Sequence, residues 1–223
     1  MNDKLLKQLL CEFIGTFALC FVGIGAIYNN PGLLGVALAH GLTIATFASA
    51  FGAISGGQFN PAVSVALLVS GHMDLKKALA YIVSQLAGAT AAGILCVSLF
   101  GSGAVAGGTP DIGKSLIGTA AASTTQAIII EAVLTFFLVV VIYGTAVDSR
   151  APKIGGLAIG LAVTLDILCG GPLTGAAMNP ARTFGPALAS GHWNNHIVYW
   201  IGPLIGGALA GLVYGRFLIK ESK

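Results

Sequence analysis

One tripeptide, Asn-Pro-Ala, occurs twice in this chain of 223 residues, at Asn60-Pro61-Ala62 and at Asn179-Pro180-Ala181, and the two copies lie 119 residues apart. The same shift superimposes Glu12 on Glu131, Thr16 on Thr135, Gly41 on Gly160 and Gly88 on Gly207. A match that recurs at one fixed interval is the mark of a duplicated structural unit. We therefore predict that the chain folds as two copies of one unit.

The composition indicates a lipid environment, because 56% of the residues are hydrophobic, 9% are charged and 32 are glycines. A helix needs roughly 20 apolar residues to cross a bilayer core of about 30 Å. Apolar segments of that kind lie at about 8–28, 33–54, 76–100, 124–147, 154–171 and 196–219. We predict an all-α integral membrane protein with three spans per repeat. The repeats cover about 8–100 and 124–219, and a loop at 101–123, rich in Gly, Ser and Thr, connects them within one domain, 1–223.

The segments that follow each Asn-Pro-Ala, 63–70 and 182–190, are too short to cross the bilayer. Asn is a favoured helix N-cap, and Pro is tolerated at the first helical position. Both segments are therefore predicted to be half-helices that start inside the membrane. The alternative, a surface loop with a proline turn, would have to occur twice at the repeat interval.

The basic residues set the predicted topology. Nine of the eleven lie at the termini and in the 2–3 and 4–5 connections: Lys4, Lys7, Lys76, Lys77, Arg150, Lys153, Arg216, Lys220 and Lys223, which leaves Lys114 and Arg182. By the positive-inside rule both termini are predicted to be cytoplasmic. Because three spans is an odd number, the second repeat must be inverted relative to the first.

Inversion brings Asn60 and Asn179 together near the membrane midplane, each at the positive end of a helix dipole. A cation passing this point meets unfavourable electrostatics. The amide N–H groups can still donate to the oxygen of an uncharged molecule. Neutral solutes that form hydrogen bonds are therefore the expected cargo.

Irregular backbone at membrane depth is tolerated where it is buried or lines a wet cavity. The stretches 55–59 and 174–178 precede the two half-helices and are rich in small residues. Their carbonyl groups are predicted to line a pore at Gly56, Gly57, Gln58, Gly175 and Ala177. The alternative for the glycines is a role in helix packing alone.

Over nearly its whole length the chain resembles the aquaporin (major intrinsic protein) family. The resemblance rests on EFIGT at 12–16, SGGQFNPAV at 55–63 and GAAMNPAR at 175–182. It implies a right-handed bundle of six spans and two re-entrant half-helices, a pore in each protomer and a homotetramer. It implies no enzyme activity, no cofactor, no metal and no nucleic-acid partner.

The family's narrowest point takes four residues at fixed distances from the two Asn positions, and in this chain the pattern gives His40, Ile167, Ala176 and Arg182. A guanidinium in a constriction repels cations and offers five N–H donors. From the residues alone, Arg182 is also open to interpretation as a structural ion pair. Likewise, His40 fits a buried histidine whose hydrogen bonds are satisfied.

This set of four is similar to the plant tonoplast branch, which passes water with ammonia, urea or other small neutral solutes. Ile at position 167 replaces the His of water-selective members and indicates a wider filter. Thr183 and Ala187 stand where glycerol channels usually have Asp and a basic residue. We expect water to be the main cargo and small neutral solutes the second, with a channel mainly for glycerol, urea or ammonia as the alternative.

Two repeat-related carboxyl groups, Glu12 and Glu131, lie within apolar spans, where an ionisable group is by default a functional candidate. In the family the equivalent Glu accepts hydrogen bonds from the re-entrant loop, so we expect these residues to support the loops. A proton relay is the alternative. A third carboxyl, that of Asp166, has no assigned role.

Three other classes of protein remain to be weighed against a passive channel. A secondary transporter also uses inverted repeats but needs a coupling-ion site. A membrane enzyme needs a nucleophile or a metal cluster, and a structural membrane protein would leave vesicles no more permeable. The sequence favours a channel whose partners are water, small neutral solutes and membrane lipids. The short termini and loops lead us to expect a bacterial or archaeal plasma membrane.

Overall fold

The computed structural model describes residues 3–112, 122–152 and 154–219. Its helices are α1 (Asp3–Asn29), α2 (Gly32–Phe51), α3 (Pro61–Val69), α4 (Leu75–Phe100), α5 (Ser102–Gly108), α6 (Thr124–Ile142), α7 (Gly155–Thr174), α8 (Pro180–Ser190) and α9 (Val198–Leu212). Short π-helical segments, Tyr143–Val147 and Val213–Leu218, continue α6 and α9. Three of the nine basic residues used above for the topology, Lys153, Lys220 and Lys223, lie outside the described residues, and so does Lys114.

Within the described ranges, six helices are long and apolar enough to cross a membrane: α1, α2, α4, α7, and α6 and α9 with their π-helical ends. The prediction of an all-α membrane fold with six spans is confirmed. The largest difference in a boundary is at the start, where α1 begins at Asp3 instead of at about residue 8. The polar first turn is helical although it adds nothing to the apolar span.

The two repeats pack on each other through the equivalent helices α2 and α7. Within each repeat the first and last spans pack together, α1 on α4 and α6 on α9. Close approach of α2 and α7 depends on small residues, because a side chain on Gly160 would collide with the backbone of α2 at Gly41. The half-helices are exchanged between repeats, since α3 of the first packs on α9 of the second and α8 packs on α4.

Both half-helices begin as their sequences predict. The Asn60 side chain caps α3 by accepting from the Ala62 N–H at 2.9 Å. Asn179 caps α8 by accepting from the N–H groups of Ala181 and Arg182, at 3.0 and 3.2 Å. With 9 and 11 residues, α3 and α8 are each about half as long as a spanning helix.

The connection between the repeats is not entirely loop, because α5 occupies 102–108. This helix packs against α1, α4 and α8. Its Val105 is fully buried in a cluster with Ile24 and Cys96. Burial of Val105 therefore offsets the low helix propensity of the surrounding glycines, a tertiary effect that composition alone does not indicate.

Candidate pore and selectivity filter

The two re-entrant loops are tied together by a reciprocal pair of hydrogen bonds. The side-chain amide of Asn60 donates to the Met178 carbonyl at 2.8 Å. The side-chain amide of Asn179 donates to the Phe59 carbonyl, also at 2.8 Å. Each amide group carries two N–H donors, so one of them on each Asn is left over after this exchange.

Phe59 and Met178, the residues just before the two Asn positions, have left-handed backbone conformations with φ of 50° and 52°. Such conformations cost a non-glycine residue about 1–3 kcal/mol. They direct each residue's N–H toward a buried carboxyl and its carbonyl toward the opposite Asn. The cross-repeat contacts therefore offset a strained backbone at both positions.

Glu12 and Glu131 accept the N–H groups of these loops. Glu12 accepts from the Ser55 hydroxyl (2.7 Å), the N–H groups of Gln58 (3.0 Å) and Phe59 (2.7 Å), and the Gln85 amide (2.8 Å). Glu131 accepts from the Thr174 hydroxyl (2.7 Å) and the N–H groups of Ala177 (2.9 Å) and Met178 (2.7 Å). Both carboxyl groups are fully buried, and their described partners belong to loops and helices rather than to a lumen.

Two tyrosines that the sequence analysis did not assign also hold the loops. The Tyr81 hydroxyl donates to the Ser55 carbonyl at 2.8 Å, and the Tyr199 hydroxyl donates to the Thr174 carbonyl at 2.7 Å. Both side chains are fully buried. The two tyrosines are 118 residues apart, whereas the repeat interval is 119. Superposition of the two halves at that interval therefore does not pair them.

The two repeats differ around their carboxyl groups. The position that is repeat-related to Gln85 is Leu204, so Glu131 has no equivalent amide donor there. Asp166, on α7, is fully buried and interacts electrostatically with Glu131. Neither carboxyl oxygen of Asp166 has a hydrogen-bond partner among the described residues.

A cavity of about 140 Å³ runs past the meeting point of the loops. Four of the five predicted carbonyl positions line it: Gly56, Gly57, Gln58 and Ala177. The fifth, Gly175, lies instead along a second cavity of about 240 Å³ on the α5 side. The rest of the first cavity's wall is largely apolar and includes Leu19, Val63 and Val163. The lumen therefore has a polar strip of backbone and Asn side chains on an apolar wall.

The four predicted filter residues are brought together at one end of the first cavity. His40, Ile167, Ala176 and Arg182 all line it, and none is more than 7% exposed. Ile167 and Arg182 also line the second cavity. Ile167 and Arg182 therefore lie between the two cavities.

Arg182 and His40 supply the polar side chains among these four residues. The Arg182 guanidinium donates to the Ala176 carbonyl at 3.4 Å, and its other N–H groups form no hydrogen bond with the described residues. The His40 Nδ1 lies 2.8 Å from the Val36 carbonyl. Because a carbonyl oxygen can only accept, Nδ1 carries the proton of the neutral ring.

Comparison with known proteins adds independent support. The family model described as "Major intrinsic protein" matches residues 1–214. Aquaporin TIP2-1 of Arabidopsis thaliana is 38% identical over 98% of this chain and 90% of the relative. Aquaporin TIP4-1 of the same plant is 44% identical over 97% and 88%. Among solved structures, the aquaglyceroporin from Plasmodium falciparum is 26% identical, with a TM-score of 0.82, over 96% of this chain and 97% of that one.

The expected location in a bacterial or archaeal plasma membrane is wrong. The relatives named above, together with Aquaporin TIP4-4 of Zea mays, 42% identical, are plant proteins of the tonoplast type. These relatives give no support to a bacterial or archaeal plasma membrane. Short loops and termini had suggested otherwise, but loop length reflects how closely the spans are joined and carries no information about the organism.

The duplicated half-helices, the joined loops and the match over residues 1–214 lead to one conclusion: the chain belongs to the major intrinsic protein family, the aquaporins.

Proposed function

We propose that this chain is a passive channel that conducts water, passes small neutral solutes as well, and excludes protons and ions. The observation that carries this function is the cavity that runs from the two joined loops to Arg182, with Asn60 and Asn179 in its wall. It has an apolar surface and a narrow line of polar groups. Such a lumen lets single molecules pass while they exchange hydrogen bonds with the wall.

The spare N–H groups of Asn60 and Asn179 are proposed to donate to one water molecule at the meeting point of the half-helices. A water whose two lone pairs are both engaged accepts no hydrogen bond from the next water. The chain of waters along which a proton could hop is then interrupted. The positive ends of α3 and α8 oppose any cation at the same place.

The carbonyls of Gly56, Gly57, Gln58, Gly175 and Ala177 are proposed as successive acceptors for the passing molecule. Glu12 and Glu131 hold the loops that present these carbonyls, and both carboxyl groups stay out of the lumen. We assign no proton relay to them, because their hydrogen-bond partners are loop N–H groups, hydroxyl groups and one amide.

His40, Ile167, Ala176 and Arg182 are proposed to form the selectivity filter. Arg182 provides a permanent positive charge and N–H donors, which reject cations and bind water or a carbonyl oxygen. Ile167 and Ala176 present no side-chain polar group. The filter therefore has one polar side and one apolar side, a surface suited to molecules such as water and urea.

The test is stopped-flow light scattering on proteoliposomes, with water efflux measured in an impermeant osmolyte and reswelling measured in urea or glycerol. We expect water flux well above that of empty liposomes. Flux equal to that of empty liposomes contradicts the channel function. An ion flux that accompanies water flux contradicts the proposed exclusion of ions.

A channel mainly for glycerol, urea or ammonia is the second candidate, and it is favoured by the small Ala176 and the apolar Ile167. The double variant His40→Phe with Ile167→His separates the two functions. If the wider filter passes urea or ammonia, this variant lowers their flux more than it lowers water flux. Equal loss of all fluxes contradicts the filter assignment.

We further propose that residues 1–223 form one channel domain with no catalytic activity and no cofactor, and that four copies assemble in the membrane. The outward faces of the spans are strongly apolar, with Leu10, Leu42, Val83, Ile129 and Leu161 all more than half exposed in the single chain. Faces of this kind pack on lipid or on another copy. Sedimentation of the purified protein in detergent tests the tetramer.

A further inference from the structure

The His40 ring is held to one side of the constriction. Its Nδ1 donates to the Val36 carbonyl one turn earlier on α2. Its Nε2 points at α1, where the nearest position is Gly23. The ring plane and the ring direction are therefore set by two neighbours, only one of which forms a hydrogen bond.

Gly23 provides the space that the ring occupies. A β-carbon built on Gly23 would lie 3.0 Å from the His40 Cε1, 3.1 Å from Cδ2 and closer still to Nε2. Ordinary contacts between such atoms are about 3.5–4.0 Å. The edge of the imidazole therefore lies where any other residue at position 23 would place its side chain.

Backbone conformation does not require glycine at this position. Gly23 lies in the interior of α1, and its φ is not among the positive values of the chain. A glycine inside a helix is less stable than alanine by about 0.5–1 kcal/mol. The space that Gly23 leaves for the His40 ring accounts for the glycine at this position.

The space between Gly23 and the His40 ring borders on Arg182 of the proposed filter. A small cavity of about 10 Å³ lies beside it and is lined by Gly23, His40, Arg182 and Cys20 among others. His40 and Arg182 therefore leave a small void against α1. The α1 side of the imidazole lies against Gly23, and the ring also lines the first cavity.

We propose that Gly23 is a specificity-determining residue of this channel, because it lets the His40 ring withdraw from the lumen toward α1. The width of the filter then depends on a fifth position outside the four that line it. A methyl group at position 23 drives the ring about 1 Å into the lumen. Neutral solutes wider than water, such as urea, are affected most. This inference rests on the proposed channel function.

The test compares Gly23→Ala with Gly25→Ala, a matched substitution on the same helix, where an added β-carbon meets nothing closer than 4.0 Å. Water and urea fluxes are measured by stopped flow and divided by the amount of monodisperse protein. We expect Gly23→Ala to lower urea flux at least tenfold and water flux two- to threefold. We expect Gly25→Ala to match the wild type.

Making Gly23→Ala in the His40→Ala variant as well separates the effect of the His40 ring from a general effect on packing. In His40→Ala the ring is absent, so adding Gly23→Ala should change neither flux. An unchanged flux for Gly23→Ala alone overturns the inference, and so does the same loss in both backgrounds. If Gly23→Ala does not fold, recovery of folding in the double variant supports the contact, and failure of both variants overturns it.

The water and urea fluxes of the wild type test the proposed channel function separately from the role of Gly23. No water flux in the wild type contradicts the proposed channel. Water flux without urea flux contradicts only the wide filter, and Gly23 is then tested on water flux alone, where the twofold loss and its suppression by His40→Ala are still expected.

Discussion

The side-chain amide of Asn60 donates a hydrogen bond to the carbonyl of Met178, 118 residues away in sequence, at 2.8 Å. The same side chain caps α3 through its oxygen. One residue thus starts a half-helix of the first repeat and holds the loop of the second. Its two functions use different atoms, and a substitution can separate them.

Asn60→Asp keeps the acceptor that caps α3 and replaces the N–H donor by a carboxyl oxygen that faces the Met178 carbonyl. We expect the free energy of unfolding to fall by about 1–3 kcal/mol, as for a buried acceptor left without its donor, and water flux to fall as well. Thermal unfolding in detergent and stopped flow measure both. Asp74→Asn, the reverse exchange at the exposed cap of α4, is the control and should change neither. A wild-type melting curve for Asn60→Asp would contradict the importance of the cross-repeat bond.

Tyr81→Phe and Tyr199→Phe each remove one buried hydroxyl and leave a loop carbonyl without that donor. We expect each substitution to cost about 1–3 kcal/mol of stability. Tyr28→Phe, at a side chain that is 55% exposed, should leave the thermal midpoint unchanged. The idea fails if all three variants unfold at the same temperature as the wild type.

Asp166→Asn should stabilise the protein. The two carboxyl oxygens of Asp166 are buried without a donor among the described residues, and an unpaired carboxylate in such a site is costly. A neutral amide of the same shape removes the charge. We expect a higher thermal midpoint in detergent. Asp111→Asn, where the carboxyl accepts from Asn195 and contacts His192, should not show this gain. A lower midpoint for Asp166→Asn would mean that the carboxyl has a stabilising partner.

Asp148 and Arg150 join the end of α6 to the end of α9, because Arg150 contacts both the Asp148 carboxyl and the Leu218 carbonyl. Hydrogen bonds from Arg150 lower the pKa of Asp148 to about 2, below the value of about 3.9 for an unfolded chain. The stability from this pair is therefore fully present above about pH 4 and is lost as the pH falls through 2.

Thermal unfolding of Asp148→Asn and of the wild type from pH 7 to pH 2 tests this pH dependence. The difference between the two midpoints should stay constant from pH 7 to about pH 5 and should shrink toward pH 2. A difference that disappears between pH 7 and pH 5 would contradict the lowered pKa of Asp148.

The sequence predicted the half-helices well, because Asn followed by Pro specifies a helix start through local chemistry alone. The six spans followed in the same way from apolar length. These features depend on residues whose partners are close in sequence or are fixed by the repeat. The four filter positions came instead from the resemblance to the family, and their role stays a proposal.

The features that the sequence missed depend on contacts between distant residues. Gly23 looks like an ordinary helix glycine until His40 is placed beside it. Tyr81 and Tyr199 fall one residue off the repeat interval, so superposition of the halves does not pair them. The burial of Val105, which makes α5 a helix, requires knowing where α1 and α4 lie.

The exchange of half-helices between the repeats has a consequence for how the chain folds while it is being synthesised. The loop that contains Asn60 is made long before Met178, and α3 packs on α9, the last spanning helix of the chain. Contacts so distant in sequence form late, because the intervening chain must first be ordered. During translation the first repeat therefore enters the membrane before the contacts of α3 with α9 and of Asn60 with Met178 can form. The pore comes into existence as a single late event, when the last helix arrives.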